Sequence, residues 1–243
     1  MAKIVWDAAG EKRYEAGVDH CVYYPLNEKG EYTPGVAWNG ITSISETPEG
    51  AEPESQYADN IKYLTMISAE ELNGTIEAYT YPEEFAQSNG EVELTSGVYI
   101  GQQNRRPFGL CYRTKVGDDV KGQDAGYKLH LLYGALCSPS EKTYETLNDS
   151  PEAITMSWEY STTPVNVTDH SPTSLLTIDT TKLSAEEKGH LTALEEVLYG
   201  KDGEGDENSP RLPLPDEVAS ILKTGSVSAS YSARLSSMVR NSI

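Results

Sequence analysis

Basic residues are scarce in this chain: 19 Lys and Arg stand against 38 Asp and Glu over 243 residues, a formal net charge of −19. A protein that grips nucleic acid needs positive side chains to displace phosphate counterions, so this balance argues against that class of function. Phenylalanine is nearly missing, with 2, whereas 16 Tyr, 20 Gly and 13 Pro suit many strands and turns better than a helical bundle. The 3 cysteines, Cys21, Cys111 and Cys137, are odd in number and lack CxxC spacing, which predicts free thiols in a reducing cytoplasm. The opening MAKIVWDAAG has no apolar signal-peptide core, and the longest apolar run, HLLYGALC at 130–137, is far short of the roughly 20 residues that span a bilayer. A soluble, β-rich chain with one main domain and no membrane partner is the expectation. The sequons at Asn73, Asn148 and Asn166 then read as chance.

Catalytic and metal-binding patterns are also missing. His20, His130, His170 and His190 are scattered, with no HExxH or HxH spacing to hold zinc. No GxSxG, GxxxxGK[ST] or GxGxxG occurs, and KTG at 223–225 stands without its SxxK and SDN companions. In KDGEGDENS the residues Asp202, Glu204, Asp206 and Asn208 alternate like calcium ligands, but the sixth position of such a loop, where glycine makes the turn, is Glu207. A solvated linker is the better reading. Glu83 and Glu84 form a carboxylate pair of the kind a glycosidase uses, yet adjacent acids are commonplace in a chain with 38 of them. No enzyme activity, cofactor or metal is expected. The tyrosine-rich strands leave one alternative function, a carbohydrate-binding or adhesion β-sandwich, because tyrosines stack on sugars as well as they fill cores and interfaces.

Along the chain, VDHCVYYPL and then VAWNGITSIS predict strands, the second over 36–45. ETPEGAEPESQY at 46–57 carries Glu46, Glu49, Glu52, Glu54, Pro48 and Pro53 without a basic residue. Two prolines exclude a helix or a central strand, so a long, charged, extended loop is expected. IKYLTMI at 61–67 and TIEAYTY at 75–81 read as neighbouring antiparallel strands joined by a turn at Asn73 and Gly74, and 82–89 as a short helix opened by Pro82. Further strands are predicted at 108–116, 127–136, 154–167 and 174–180, with Tyr127, Leu129, Leu131, Tyr133 and Ala135 on one face of the second. SAEEKGHLTALEEVLYG at 184–200 is the best helix, with Ser184 and Glu187 in capping-box spacing, an apolar stripe of Leu191, Leu194 and Leu198, and a stop at Gly200. KDGEGDENSPRLPLP reads as a linker and PDEVASIL at 215–222 as a last short helix. From Thr224 onward seven serines, Arg234 and Arg240 accompany no acid, which suggests an appended tail that either docks on an acidic neighbour or stays disordered.

Four long strings then point to a family: WNGITSISETPEGAEPESQYADNIKYLTMISAEELNGTIEAYTYPEEFA at 38–86, GVYIGQQNRRPFGLCYRT at 97–114, GYKLHLLYGALCSPSEKTYETLNDSPEAITMSWEYSTTPV at 126–165, and RLPLPDEV at 211–218. Together they resemble the major tail protein, or tail tube protein, of long-tailed siphophages, over roughly residues 1–220. The resemblance implies a β-sandwich or partial barrel flanked by one main helix, expected over residues 1–200; composition adds a linker and short helix over 201–223 and a serine-rich extension over 224–243 that runs past the family pattern. It further implies homohexameric rings that stack into a tube within the virion tail. The implied partners are other copies of the chain, the tape-measure, tail terminator and baseplate or distal tail proteins, and genome DNA passing through without sequence-specific contact. A wall of acids would keep that duplex from adhering, since the repulsion acts within about 8 Å at physiological salt and leaves the bore open. Glu77 and Glu159 are the expected lumen-facing acids, and the 46–57 segment, with Glu46, Pro48, Glu49, Glu52, Pro53 and Glu54, the expected contact to the next ring.

Overall fold

A computed structural model describes residues 4–32, 34–144, 146, 153–203 and 208–227. Its strands are β1 (Arg13–Pro25), β2 (Val36–Ala37), β3 (Ile41–Gly50), β4 (Pro53–Ala58), β5 (Ile61–Ile67), β6 (Glu70–Ala78), β7 (Val92–Thr95), β8 (Val98–Ile100), β9 (Phe108–Asp118), β10 (Gly122–Cys137), β11 (Met156–Thr162), β12 (Val165–Val167), β13 (His170–Thr173) and β14 (Leu175–Asp179). Two helices follow, α1 (Ala185–Tyr199) and α2 (Pro215–Thr224). Among the described residues eight strands form one antiparallel sheet in the order β2-β1-β9-β10-β11-β6-β3, with β14 also beside β10, while β4-β5, β7-β8 and β12-β13 are separate hairpins.

The sheet closes on itself, and its shortest connection shows why. β2 lies at one end of the hydrogen-bonding order and β3 at the other, yet only Trp38, Asn39 and Gly40 join them. So short a link spans roughly 13 Å even when extended, so the two ends must lie side by side. Trp38 makes the closure: its backbone N–H donates to Cys21 O of β1 at 2.8 Å and its indole N–H to Thr80 O at 2.8 Å. The interior then fills with the inward residues of all these strands, an aromatic cluster of Tyr23, Trp38, Phe85, Phe108 and Trp158 with Ile76, Leu110 and Leu132. The mainly β, partial-barrel architecture is therefore the one expected.

A second apolar layer lies outside β1, β9, β10 and β14, where Val22, Tyr24, Cys111, Leu129, Leu131, Tyr133 and Ile178 meet Leu194, Val197 and Leu198 of α1 and Val218 and Ile221 of α2. The Ser184 and Glu187 capping box is present at the start of α1, each side chain accepting the other's backbone N–H. Tyr24 Oη donates to Leu198 O at 2.6 Å and Tyr133 Oη to Pro213 O at 2.8 Å, so the buried phenols find partners where the helical layer begins and ends.

Several sequence expectations need correction. The 46–57 segment is not a loop: residues up to Gly50 continue β3, and Pro53 opens β4. Pro48 is tolerated because β3 is the last strand in the order and needs partners only from β6. β5 pairs with β4, and Asn73 and Gly74 lie inside β6 rather than in a turn, because Leu72, Gly74, Ile76 and Ala78 alternate onto the barrel interior. The helix expected at 82–89 is a single 3-10 turn, Glu83–Phe85. The chain bends there because Ser88 and Asn89 are drawn into the core, Ser88 sharing a hydrogen bond with Tyr23 Oη at 2.7 Å and Asn89 Oδ1 accepting from Trp158 Nε1 at 3.0 Å. The 154–167 strand divides into β11 and β12 around Thr163 and Pro164. Ala135 does not share the face of Leu129, Leu131 and Tyr133: Gly134, at φ +62°, shifts the register and turns Ala135 toward the barrel interior.

Candidate functional surfaces

The helices cover only part of the barrel. On β3, β6 and β11 the inward set is apolar or small apart from Glu46 and the terminal Glu70, and the outward residues are Ser43, Ser45, Thr47 and Glu49; Glu71, Asn73, Thr75 and Glu77; and Ser157, Glu159 and Ser161. Alternation of this kind marks a sheet with one dry and one wet face. These three strands contain no Lys or Arg. Register sets Glu77 opposite Ser157 and Glu159 opposite Thr75, so the two glutamates are diagonal neighbours on the same outward face. Ser43 Oγ donates to Glu77 Oε2 at 2.7 Å, and Asn73 Nδ2 to Glu49 Oε2 at 3.1 Å, where Glu49 also stands directly opposite Glu71. The face is polar, and the charges it carries, from Glu49, Glu71, Glu77 and Glu159, are all negative.

The 46–57 residues separate by role. Glu49 joins the acidic face, Glu46 and Pro48 alternate inward, and Glu52, Pro53 and Glu54 enter the β4-β5 hairpin. This hairpin is exposed almost throughout: Tyr57, Ile61, Tyr63, Met66 and Ile67 are each 60% exposed or more. Apolar residues lie on both of its faces, which no packing within the chain explains. The β7-β8 hairpin likewise exposes Leu94, Val98 and Tyr99. The two project from opposite ends of one strand pair. β4-β5 leaves where Gly50 pairs with Glu70, whereas the chain to β7-β8 leaves beyond Ala78, which pairs with Ile41. Nine residues of β6 put those ends about 26 Å apart. Sequence reading missed the hairpin; the signal available was the apolar content of both alternating sets in 61–67, which a one-sided strand does not need.

Glu46 enters a third arrangement that no motif announces. It meets Tyr112 of β9, whose Oη donates to Glu46 Oε1, and His130 of β10, whose Nδ1 lies 3.4 Å from the same oxygen. His130 stacks on Tyr112 with ring centroids 4.8 Å apart and 1° between planes. Its Nε2 lies 3.0 Å from Thr114 Oγ1 and 3.4 Å from Oε1 of Glu15 on β1. Lys128 Nζ also bonds Glu15. His130 beside it is foremost in holding the Glu46 carboxyl below the ordinary carboxylate range. Burial works to raise Glu15, but the bonds from Lys128 and Thr114 outweigh it and leave this carboxyl lowered as well. Burial, reinforced by Glu46, pushes the Tyr112 phenol up, so it remains a donor.

Among the described residues no group of three or more His, Cys, Asp or Glu is placed to hold a metal ion. Of the calcium-like run, Glu204, Asp206 and Glu207 lie outside the described residues, as do Arg234, Arg240 and the rest of 228–243. All three cysteines are buried and unbridged, and no described helix is long and apolar enough to cross a membrane.

No family model and no curated protein matches this chain. Solved structures that align with it include the six-fold symmetrised baseplate of the anti-feeding prophage, at 11% identity over 74% of this chain and 100% of that one, with a TM-score of 0.34. Another is the sheath-tube complex of an extracellular contractile injection system in its extended state, at 10% identity over 66% of this chain and 88% of that one, with a TM-score of 0.30. Likenesses this low carry no inference about the present chain.

Proposed function

We propose that this protein is a structural subunit of a phage-tail-like tube, six copies closing into a ring and rings stacking head to tail, with the β3-β6-β11 face lining a bore through which genome DNA passes. The observation that carries the reading is the pair of apolar hairpins at opposite ends of one strand pair. A sticky protrusion at one end and a different apolar surface at the other can meet head to tail between successive copies. Such heterologous contacts propagate, and they build an open-ended stack. The family resemblance of the sequence supplies the ring and the tube, and the acidic face supplies a wall that DNA slides past. Among the described residues β14 pairs with β10 alone, and its other side is an edge that a neighbour in a ring would cover.

In this reading the stacking element is the β4-β5 hairpin rather than the whole of 46–57: Glu52, Pro53 and Glu54 stand at the hairpin, and Glu46 bonds Tyr112 instead. Tape-measure, terminator and distal tail proteins are the partners such a tube requires, in a virion tail assembled in a host cytoplasm. Negative-stain imaging of the concentrated full chain, beside its elution volume, tests the proposal: rings or tubes are expected for the parent and isolated rings or monomers for Ile61→Asp with Tyr63→Ser. A permanent monomer that retains immobilised glycans overturns it in favour of the adhesion module.

A further inference from the structure

The register of β14 against β10 fixes which of its backbone groups face away from that partner. Tyr133 N–H donates to Ser174 O and Thr180 N–H to Tyr127 O, so residues 174, 176, 178 and 180 direct their N–H and C=O groups at β10. Leu175, Thr177 and Asp179 turn theirs outward. Thr173 Oγ1 serves both groups of Leu175, donating to its carbonyl at 2.8 Å and accepting from its N–H at 3.3 Å, and Asp179 O accepts from Lys182 N–H at 3.1 Å. Thr177 N–H and O and Asp179 N–H find no such partner among the described residues. Beside this open edge runs a groove of about 610 Å³ between β14 and α2, with Leu176, Ile178, Leu183, Val218, Ala219 and Leu222 in its lining.

The chain leaves α2 at one end of this groove. Just before α2, Pro213 O accepts from Tyr133 Oη, opposite Ser174, and near its end Leu222 O lies 2.9 Å from His190 Nδ1 of α1, the helix that follows β14. α2 therefore runs alongside β14 in the same direction and finishes near its Asp179 end. Gly225, in the left-handed region at φ +66°, closes the helix by donating to Ile221 O at 2.8 Å and turns the chain. A segment that folds back from there passes β14 antiparallel. The residues that follow suit that course: Ala229, Tyr231, Ala233 and Leu235 alternate with Ser228, Ser230, Ser232 and Arg234, the period of a strand with one dry and one wet face. Eight extended residues reach about 26 Å, more than the roughly 17 Å of five-residue β14. We propose that residues 228–235 add a strand to the free side of β14 in the same chain, with Ala229, Tyr231 and Ala233 facing α2 across the groove and the serines on the exposed side of Thr177. The added strand covers an edge otherwise open to pairing with any passing chain. This inference concerns the free subunit and does not depend on the tube.

Backbone amide exchange measured by NMR on the full chain, corrected for intrinsic rates, reads the edge directly. Protection is expected at every second amide across 228–235, the mark of a strand paired on one side, and at Thr177 N–H. Ending the chain after Ser226 should speed exchange at Thr177 by about tenfold or more while the β9 amides stay as they were. Ala219→Lys puts a long side chain into the groove from an exposed helix position and leaves the tail intact. It should match the shortened chain at Thr177 and also erase the 228–235 pattern. Equal Thr177 exchange in the full and shortened chains overturns the proposal, as does a tail without alternate protection. A pattern that fades on dilution assigns the added strand to a second copy and overturns it too. The tail pattern is read on the unaltered chain, so it decides even if a variant fails to fold.

Discussion

Gly134 shows how one residue redirects a strand. Its φ of +62° interrupts the alternation of β10, so that Tyr133 points at the helices and Ala135 at the barrel interior. The bulge also divides the partners of β10, with β14 along Lys128–Leu132 and β11 along Ala135–Cys137. A Cβ at this position would stand 2.1 Å from Thr163 O, whereas at Gly17, also at positive φ, nothing lies within 4 Å. Gly134→Ala should therefore lower unfolding stability by about 3 kcal/mol, against about 1 kcal/mol for Gly17→Ala, as read from urea midpoints. Equal effects would mean that backbone strain alone, and not the Thr163 contact, sets the cost. The residue scale is also where acids take opposite roles. Glu46 and Glu49 are three residues apart on one strand, yet one is spent inside the barrel mouth and the other joins the outer face.

At the scale of elements, local chemistry was legible where an element carries its own boundary signals. α1 starts at its capping box and stops before Gly200. Ser184→Ala removes the side-chain acceptor for Glu187 N–H and should cost about 1 kcal/mol, measured as a drop in the denaturant midpoint without loss of far-UV circular dichroism. The strand at 61–67 was legible from alternation, and the one at 108–116 was also expected. The 82–89 segment was not, because its Pro82 and two following glutamates are sound helix-start chemistry. Burial of Phe85, Ser88 and Asn89 against Tyr23 and Trp158 outweighs that preference, and no local pattern carries the positions of those two partners. The 46–57 segment failed as a loop for a related reason. Proline excludes a central strand, and only topology reveals that β3 lies at an edge.

For the whole molecule, charge is distributed by face. The acidic β3-β6-β11 surface lacks any basic residue, while Arg113 is engaged by Asp19 at 2.6 and 3.0 Å and Arg211 by the buried Glu217. On the proposed tube, Glu77→Lys with Glu159→Lys should leave assemblies that form but retain a short DNA duplex at low salt and release it as salt rises, in a gel-shift assay. Equal behaviour of parent and variant tubes would remove these residues from the wall. Stability should also depend on acid. The hydrogen bonds from Arg113 hold the Asp19 carboxyl below its ordinary value, so its contribution is fully present above the unfolded carboxyl range and is lost as pH falls through the folded one. Urea midpoints should fall as pH drops from about 5 to about 3, with a shallower fall in Asp19→Asn. An identical slope would show that this ion pair is not among the groups being titrated.

The amino-acid sequence by itself determined the composition-level character of this protein: strand-rich, anionic, with one self-capped helix and residues alternating for a two-sided sheet. Those properties depend on neighbours within a few positions, which the chain spells out directly. Tertiary structure alone decided that the sheet closes through Trp38, that β4-β5 stands clear as an apolar protrusion, and that Glu15, Glu46, Tyr112 and His130 meet. These last four come from four different strands, and their encounter follows from curling a sheet whose register is set by distant pairings. Local propensity carries no record of such pairings, because what selects them is the burial of the whole interior at once.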